Sequence, residues 1–186
     1  NARRLQQVER LINALSEKAD FKTTLINIKA QWLEMPSNTP AAADLSVLTE
    51  SQFQTLMRTL SQRRGVDLLT APQLTTYSGQ MGFVQVVRHH PPPDGMDFSG
   101  VRIAYVPMIH DGKVLLNCVA DIGTPFRGGK RMAFMELTDV GAITIRHLIR
   151  RESVAVENGE TLAVDMGEPS KGRRIMLFLT ASLIGR

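Results

Sequence analysis

From Gly65 onward the chain is a succession of short apolar-alternating runs, each closed by a turn former, and this limits the fold more than any other feature. Runs at 66–69 and 74–77 surround Ala71-Pro72, and a third spans 81–88. Residues 89–95, His-His-Pro-Pro-Pro-Asp-Gly, break the regularity. Runs at 101–109 and 113–122 flank His110-Asp111-Gly112, a hairpin signal. A basic, glycine-rich loop covers 123–130, and strands are predicted at 132–137 and 142–150. Runs at 153–156 and 161–164 flank Glu157-Asn158-Gly159-Glu160, where Asn-Gly favours a type I′ turn. Residues 166–171 read as a loop and 175–183 as a last apolar strand. Such spacing predicts an antiparallel β meander.

The first third is different. Leu5, Val8, Leu11, Ile12 and Leu15 recur at helical spacing over 3–18, giving an amphipathic N-terminal helix in a segment bounded as 1–20. The β domain then occupies 21–186. Its opening strand, 23–34, turns Ile26, Ile28, Ala30 and Trp32 to one face and Asn27, Lys29 and Gln31 to the other. A loop follows at 36–43. Thr49 with Gln52 three residues later is a capping box, Leu48 and Phe53 are placed for a hydrophobic staple, and Gly65 suits a left-handed C′ position. The class expected is α+β, mostly antiparallel β, with the N-terminal helix and one capped internal helix. The chain opens on Asn1-Ala2-Arg3-Arg4, inside the helical pattern and without a basic-then-apolar leader, and is expected to be an excised fragment or a mature form.

Reactive chemistry is weakly signalled. His89 and His90 point to opposite sides of an extended chain, and Pro91 excludes a helical correction, so a shared metal is not expected. His110 and Asp111 sit in a turn with no nucleophile indicated. His147, among Arg146, Arg150 and Arg151, reads as a surface or interface residue. Residues 123–130 fail as a phosphate loop: the glycine spacing is wrong, Arg131 stands where Ser or Thr is needed, and a strand follows instead of a helix. The single cysteine, Cys118, lies in an apolar run and is expected to be buried and inert. Net charge is +4, with basic clusters at 146–151 and 171–174. Aromatic content is 5%, and no stacking platform accompanies the basic residues, which disfavours nucleic acid. No enzyme activity, cofactor or metal is expected. The candidate partner-binding residues are Arg127, Lys130, Arg131, Arg146, Arg150 and Arg151.

One stretch carries more. After the capped helix comes Gly65-Val66-Asp67-Leu68-Leu69-Thr70-Ala71-Pro72, then Thr75-Thr76-Tyr77-Ser78-Gly79-Gln80. Gly100 to Ile103, Val106-Pro107 and Asp111 to Leu116 follow in order. Ser153 to Val156 with Asn158 to Leu162 comes next, and an apolar closing strand at 174–184 carries Ala181 where proline is usual. In this order the segments resemble the secretins, the ring proteins of type II and type III secretion and of type IV pili. The resemblance covers about 23–184. It marks Gly65, Pro72, Gly79, Gln80, Gly100, Pro107, Gly112 and Gly159 as family-motif structural positions.

The resemblance implies a self-associating ring-wall scaffold in the bacterial periplasm or outer membrane, with other envelope or secretion proteins as partners and contact with the membrane. It departs from the family in two places. Residues 165–171 join two strands directly where secretins carry a long segment, and 36–48 is short; in secretins such segments build gate and membrane-facing parts. A lipid-facing strand needs about 9–11 residues. Runs 81–88 and 113–122 approach that length, while 142–150 carries Arg146 and His147 mid-strand. A barrel is therefore expected only from many copies. Two readings stand: a ring-forming envelope component, and a soluble secretin-derived interaction or regulatory module.

Overall fold

The computed structural model describes residues 24–90, 97–126 and 144–184. The expected N-terminal helix, the strand at 132–137, and Arg127, Lys130 and Arg131 lie outside the described residues.

The first described strand organises the rest. β1 (Leu25–Pro36) buries Ile26, Ile28, Ala30 and Trp32 on one face, as its alternation predicts. Towards its end Leu33 and Met35 are buried on the other face as well. The cause is the internal helix, α1 (Glu50–Ser61), which covers that side. Thr49 caps it: its side chain accepts from the Gln52 N–H, and the Gln52 side chain accepts from the Thr49 N–H. Phe53 and Leu60 of α1 are buried in a cluster with Leu33, Met35, Ala163, Met176 and Phe178, and Leu48 packs against it. The Phe53 and Phe178 rings lie 5.5 Å apart.

Helix α1 does not end on Gly65. Its C-cap is Gln62 in the right-handed region, and Gly65 (φ +78°) turns the chain three residues later. That turn feeds β3 (Asp67–Thr70), which pairs with β1 over Trp32–Glu34; β4 (Gln73–Tyr77) pairs with β1 over Leu25–Lys29. At the break between them the Pro72 carbonyl accepts the Ala30 N–H (2.9 Å), so β3 and β4 act as one interrupted strand along β1. The last strand, β10 (Arg173–Ile184), pairs with β1 along its whole length, Leu25 facing Ile184 and Pro36 facing Arg173. β9 (Thr161–Ser170) flanks β10, and the three-residue β2 (Ser46–Leu48), which the sequence reading placed in no element, flanks β9. This is sheet A, ordered β2-β9-β10-β1-β3 with β4 also on β1. β10 is the run buried on both faces, between α1 and the second sheet.

Sheet B is a four-stranded antiparallel meander: β5 (Gly82–His90), β6 (Asp97–His110), β7 (Lys113–Phe126) and β8 (Thr144–Val156). The meander expectation holds here and fails for sheet A, where first and last strands are partners. The β6–β7 turn is the two residues Asp111 and Gly112, both at positive φ (50° and 80°), the combination a type I′ turn requires. The two sheets face each other over Ile26, Ile28, Trp32, Ile103, Leu116, Ile122, Leu177, Leu179 and their neighbours.

Four further expectations are corrected. His89 and His90 close β5, paired with Phe98 and Asp97, instead of opening a loop. The described part of the run at 142–150, from Thr144, and the run at 153–156 are one strand, β8. Residues 166–170 belong to β9, in which Gly167 (φ +99°) absorbs a register shift against β10. The turn at Glu157–Glu160 joins no hairpin. β8 pairs with β7 and β9 with β10, and only Gly159 of the Asn-Gly pair has positive φ (86°), so the turn is not type I′. The Gly159 N–H reaches the Ala181 carbonyl (2.8 Å) and Asn158 Oδ1 accepts the Leu183 N–H (2.8 Å), which carries the chain from sheet B into sheet A.

Candidate functional site

Among the described residues no group of three or more His, Cys, Asp and Glu side chains could hold a metal. A cleft of about 390 Å³ opens between the sheets, lined by apolar Leu69, Val86, Val101, Ile122, Pro125 and Ile175. The carboxylate lining it, Glu34, is held by Arg173 (3.1 Å). Arg173 also bonds Asp67 (3.1 Å) and the Gly65 carbonyl (2.7 Å); the hydrogen bond to Glu34 is the main cause that keeps its pKa above the ordinary value. Arg174 pairs with Asp165 (3.3 Å). The basic residues at 173–174 thus tie strands together within the chain.

The cluster on β8 divides. Arg150 is paired with Asp44 (2.7 Å) and Glu152 (3.0 Å). Arg146 reaches the Glu168 and Pro169 carbonyls of β9 (3.5 and 3.4 Å), and Arg151 is exposed. His147 bonds Asp121 (2.9 Å) and meets the Phe98 ring edge-on at 4.7 Å, with the Arg102 guanidinium 3.6 Å from the centroid of the same ring. His110 and Asp111 form an exposed pair at 3.4 Å in the β6–β7 turn.

Cys118 is buried in the inter-sheet core, and burial pushes its thiol up to about 11; burial likewise raises Tyr105 to about 12. At pH 8 the native thiol is therefore protonated and enclosed. Iodoacetamide is expected to leave it unmodified over hours in native buffer and to alkylate it within minutes in denaturant; mass spectrometry of the two samples checks this, and rapid native labelling would contradict the burial argument.

What the architecture offers instead is backbone: the edges of the two sheets. Sheet A's edges are blunted. β3–β4 is interrupted at Pro72, β2 is three residues long, and β9 beyond it carries the Gly167 shift and Pro169. Where β6 outruns β5, the turn after β4 covers it: the Gly79 N–H donates to the Pro107 carbonyl (2.7 Å) and Ser78 Oγ accepts the Ile109 N–H (2.9 Å). This brings Gly79 and Pro107 together, with Gln80 closing the turn through its N–H to the Tyr77 carbonyl (3.1 Å). The other motif residues, Gly65, Pro72, Gly100, Gly112 and Gly159, lie at separate turns and strand contacts. Sheet B's edges are open. Among the described residues β5 and β8, nine and thirteen residues long, contain no proline and pair with a strand on one side only. The strands of sheet B are longer than their apolar runs: β6 and β7 extend over 14 residues each. Length therefore does not limit them against the roughly 9–11 residues of a membrane-spanning strand. No described helix is long and apolar enough to cross a membrane, which says nothing of strands. The outward side of sheet B exposes Phe83, Met108, Val119 and Ile149, with Arg151 beside them.

The geometry defines a strand-pairing scaffold of two antiparallel sheets. No protein-family profile and no curated protein sequence matches the chain. Solved structures do match. The chain is similar to the type II secretin GspD of enteropathogenic Escherichia coli (TM-score 0.54, 12% identity, 97% of this chain and 75% of that one). It is similar to Aeromonas hydrophila ExeD (TM-score 0.53, 15% identity, 96% and 52%). It is also similar to a chain of the Klebsiella pneumoniae type II secretion system outer membrane complex of PulD, PulS and the PulC HR domain (TM-score 0.55, 15% identity, 98% and 43%). The chain spans about half, or less, of the last two. It has a divergent secretin-like fold.

Proposed function

We propose that the chain is a non-enzymatic, secretin-like component of the bacterial cell envelope, in the periplasm or outer membrane, that self-assembles into a ring for protein secretion or pilus passage. The observation that carries this reading is the contrast between sheets among the described residues: sheet A's edges are interrupted or short, while β5 and β8 of sheet B are long and pair with a described strand on one side only. Sheet B has four strands, so β8 of one copy placed beside β5 of the next continues the antiparallel alternation. A head-to-tail contact of this kind closes into a ring when the rotation allows. Neighbours of the same fold support the class: one belongs to an outer membrane complex with two further proteins.

Charge predicts how the contact responds to salt. β8 carries Arg146, Arg150 and Arg151 against Glu152 and the Asp44 that meets Arg150, which leaves an excess of positive charge, and β5 carries Arg88 with no acid. Paired strands lie about 4.8 Å apart, inside the Debye length of about 10 Å at 0.1 M salt. Association is therefore expected to strengthen as salt is raised. Sedimentation velocity with electron microscopy tests the whole reading. Large closed particles are expected, promoted by salt and abolished by the double variant Ile149→Lys, Ser153→Lys, since lysines on an edge oppose pairing. Monomer alone at high concentration refutes it.

A second reading, a soluble secretin-derived interaction or regulatory module, is favoured by one feature: β9 passes to β10 through only Lys171-Gly172, with no inserted segment. Liposome flotation separates the two, since only a pore-forming assembly inserts.

A further inference from the structure

We infer that Asp44 is the guard of sheet A: it closes the β9 edge against a strand from a second copy and ties down β8, confining pairing between copies to sheet B. The inference rests on the ring reading above. β2 pairs with β9 as Leu48 to Thr161, Val47 to Leu162 and Ser46 to Ala163. Two residues further along each strand, the register sets Asp44 opposite Asp165. There the main chain turns aside. Leu45 takes φ +55°, unusual for a side chain of that size, and both the Ser46 N–H and hydroxyl donate to the Ala43 carbonyl (3.2 and 2.7 Å). The ladder is continued by a side chain instead: Asp44 Oδ1 accepts the Asp165 N–H at 2.8 Å. A charged acceptor on an edge N–H makes a strong plug.

The same carboxylate acts on the other sheet. Its Oδ2 accepts from Arg150 at 2.7 Å, and Arg150 stands on β8, itself braced by Glu152. One side chain thus occupies an edge donor of sheet A and anchors the last strand of sheet B. Beyond Asp165 the β9 edge is already spoiled by Gly167 and Pro169, so Asp165 is where an incoming strand would gain its bond. Leu45 and Val47 beside it are exposed apolar surface, 41% and 38% accessible, ready to be covered by that strand. With Asp44 gone, a second copy's strand adds to sheet A and assemblies branch instead of closing.

The test is amide hydrogen exchange of Asp165 in dilute protein, together with sedimentation of concentrated protein, for Asp44→Ala, Asp44→Asn and Arg150→Gln. Asp44→Ala is expected to speed Asp165 exchange about tenfold or more and to replace closed particles of one size with a broad distribution of larger species. Asp44→Asn keeps an acceptor oxygen and is expected to leave Asp165 protected, as is Arg150→Gln. Asp44→Ser, whose hydroxyl falls short of the amide, replaces the alanine variant if that variant does not fold. Unchanged Asp165 exchange in the alanine or serine variant overturns the inference, as does an unchanged particle distribution. If the parent protein forms no closed particles, the ring reading fails by itself, and Asp165 exchange still decides whether Asp44 plugs the edge.

Discussion

Gly100→Ala is expected to destabilise the fold by about 3 kcal/mol or more. Gly100 sits in β6 at φ +115°, a region that residues with a Cβ avoid, and it is the cross-strand partner of both Val87 on β5 and Gly123 on β7. A Cβ there would fall within the van der Waals radius of the Val86 carbonyl oxygen. That atom belongs to backbone in the neighbouring strand, so no rotamer change relieves the overlap. Gly123, directly opposite, is equally crowded: its Cβ would strike the Phe98 carbonyl oxygen. Strands β5, β6 and β7 of sheet B therefore approach each other through two side-chain-free positions. Strain and lost pairing together are on the order of 3 kcal/mol or more, against a total stability of about 5–15 kcal/mol. Circular dichroism and urea denaturation of the variant check this; a cooperative transition within about 1 kcal/mol of the parent would show that the strands part at little cost.

Trp32→Ala is expected to cost about 3–5 kcal/mol. Trp32 is completely buried between the sheets, on the strand that pairs with β10, β3 and β4 at once. Truncation leaves a cavity that the flanking strands, locked on both sides, cannot collapse to fill. Trp32→Phe, keeping an aromatic ring and most of the volume, is expected to cost less than half as much. Equal losses for the two variants in urea melts would mean that volume at this site is not what matters.

Which parts of this fold were readable in advance follows from the range of the forces involved. The buried face of β1, the Thr49–Gln52 cap and the Asp111-Gly112 turn depend on neighbours a few residues away, and the chain spells them out. The split in β8 was misread because Arg150, Arg151 and Glu152 break its apolar pattern; Arg150 is accepted there because Asp44, more than a hundred residues earlier, meets it. Asn158-Gly159 looked like a hairpin turn because the signal is local, whereas the bonds that direct it, to Ala181 and Leu183, are not. Gly65 carries a local helix-end signal, whereas its carbonyl serves the distant Arg173. Of the proposed site, Arg150 and Arg151 were flagged by charge alone. The open edges of β5 and β8 and the plug at Asp44 had no sequence signal, since an edge is defined by which strand fails to arrive.

The partnership of β1 with β10 has a consequence for how the chain acquires its structure. Leu25 and Ile184 face each other, so the middle of sheet A cannot zip until nearly all of the described chain is present. Long-range pairing of that kind makes for slow folding. During synthesis the β10-facing edge of β1 stays unpaired until the last strand arrives. Sheet B, whose strands are consecutive, is free to form first and to serve as the template on which the other layer completes itself.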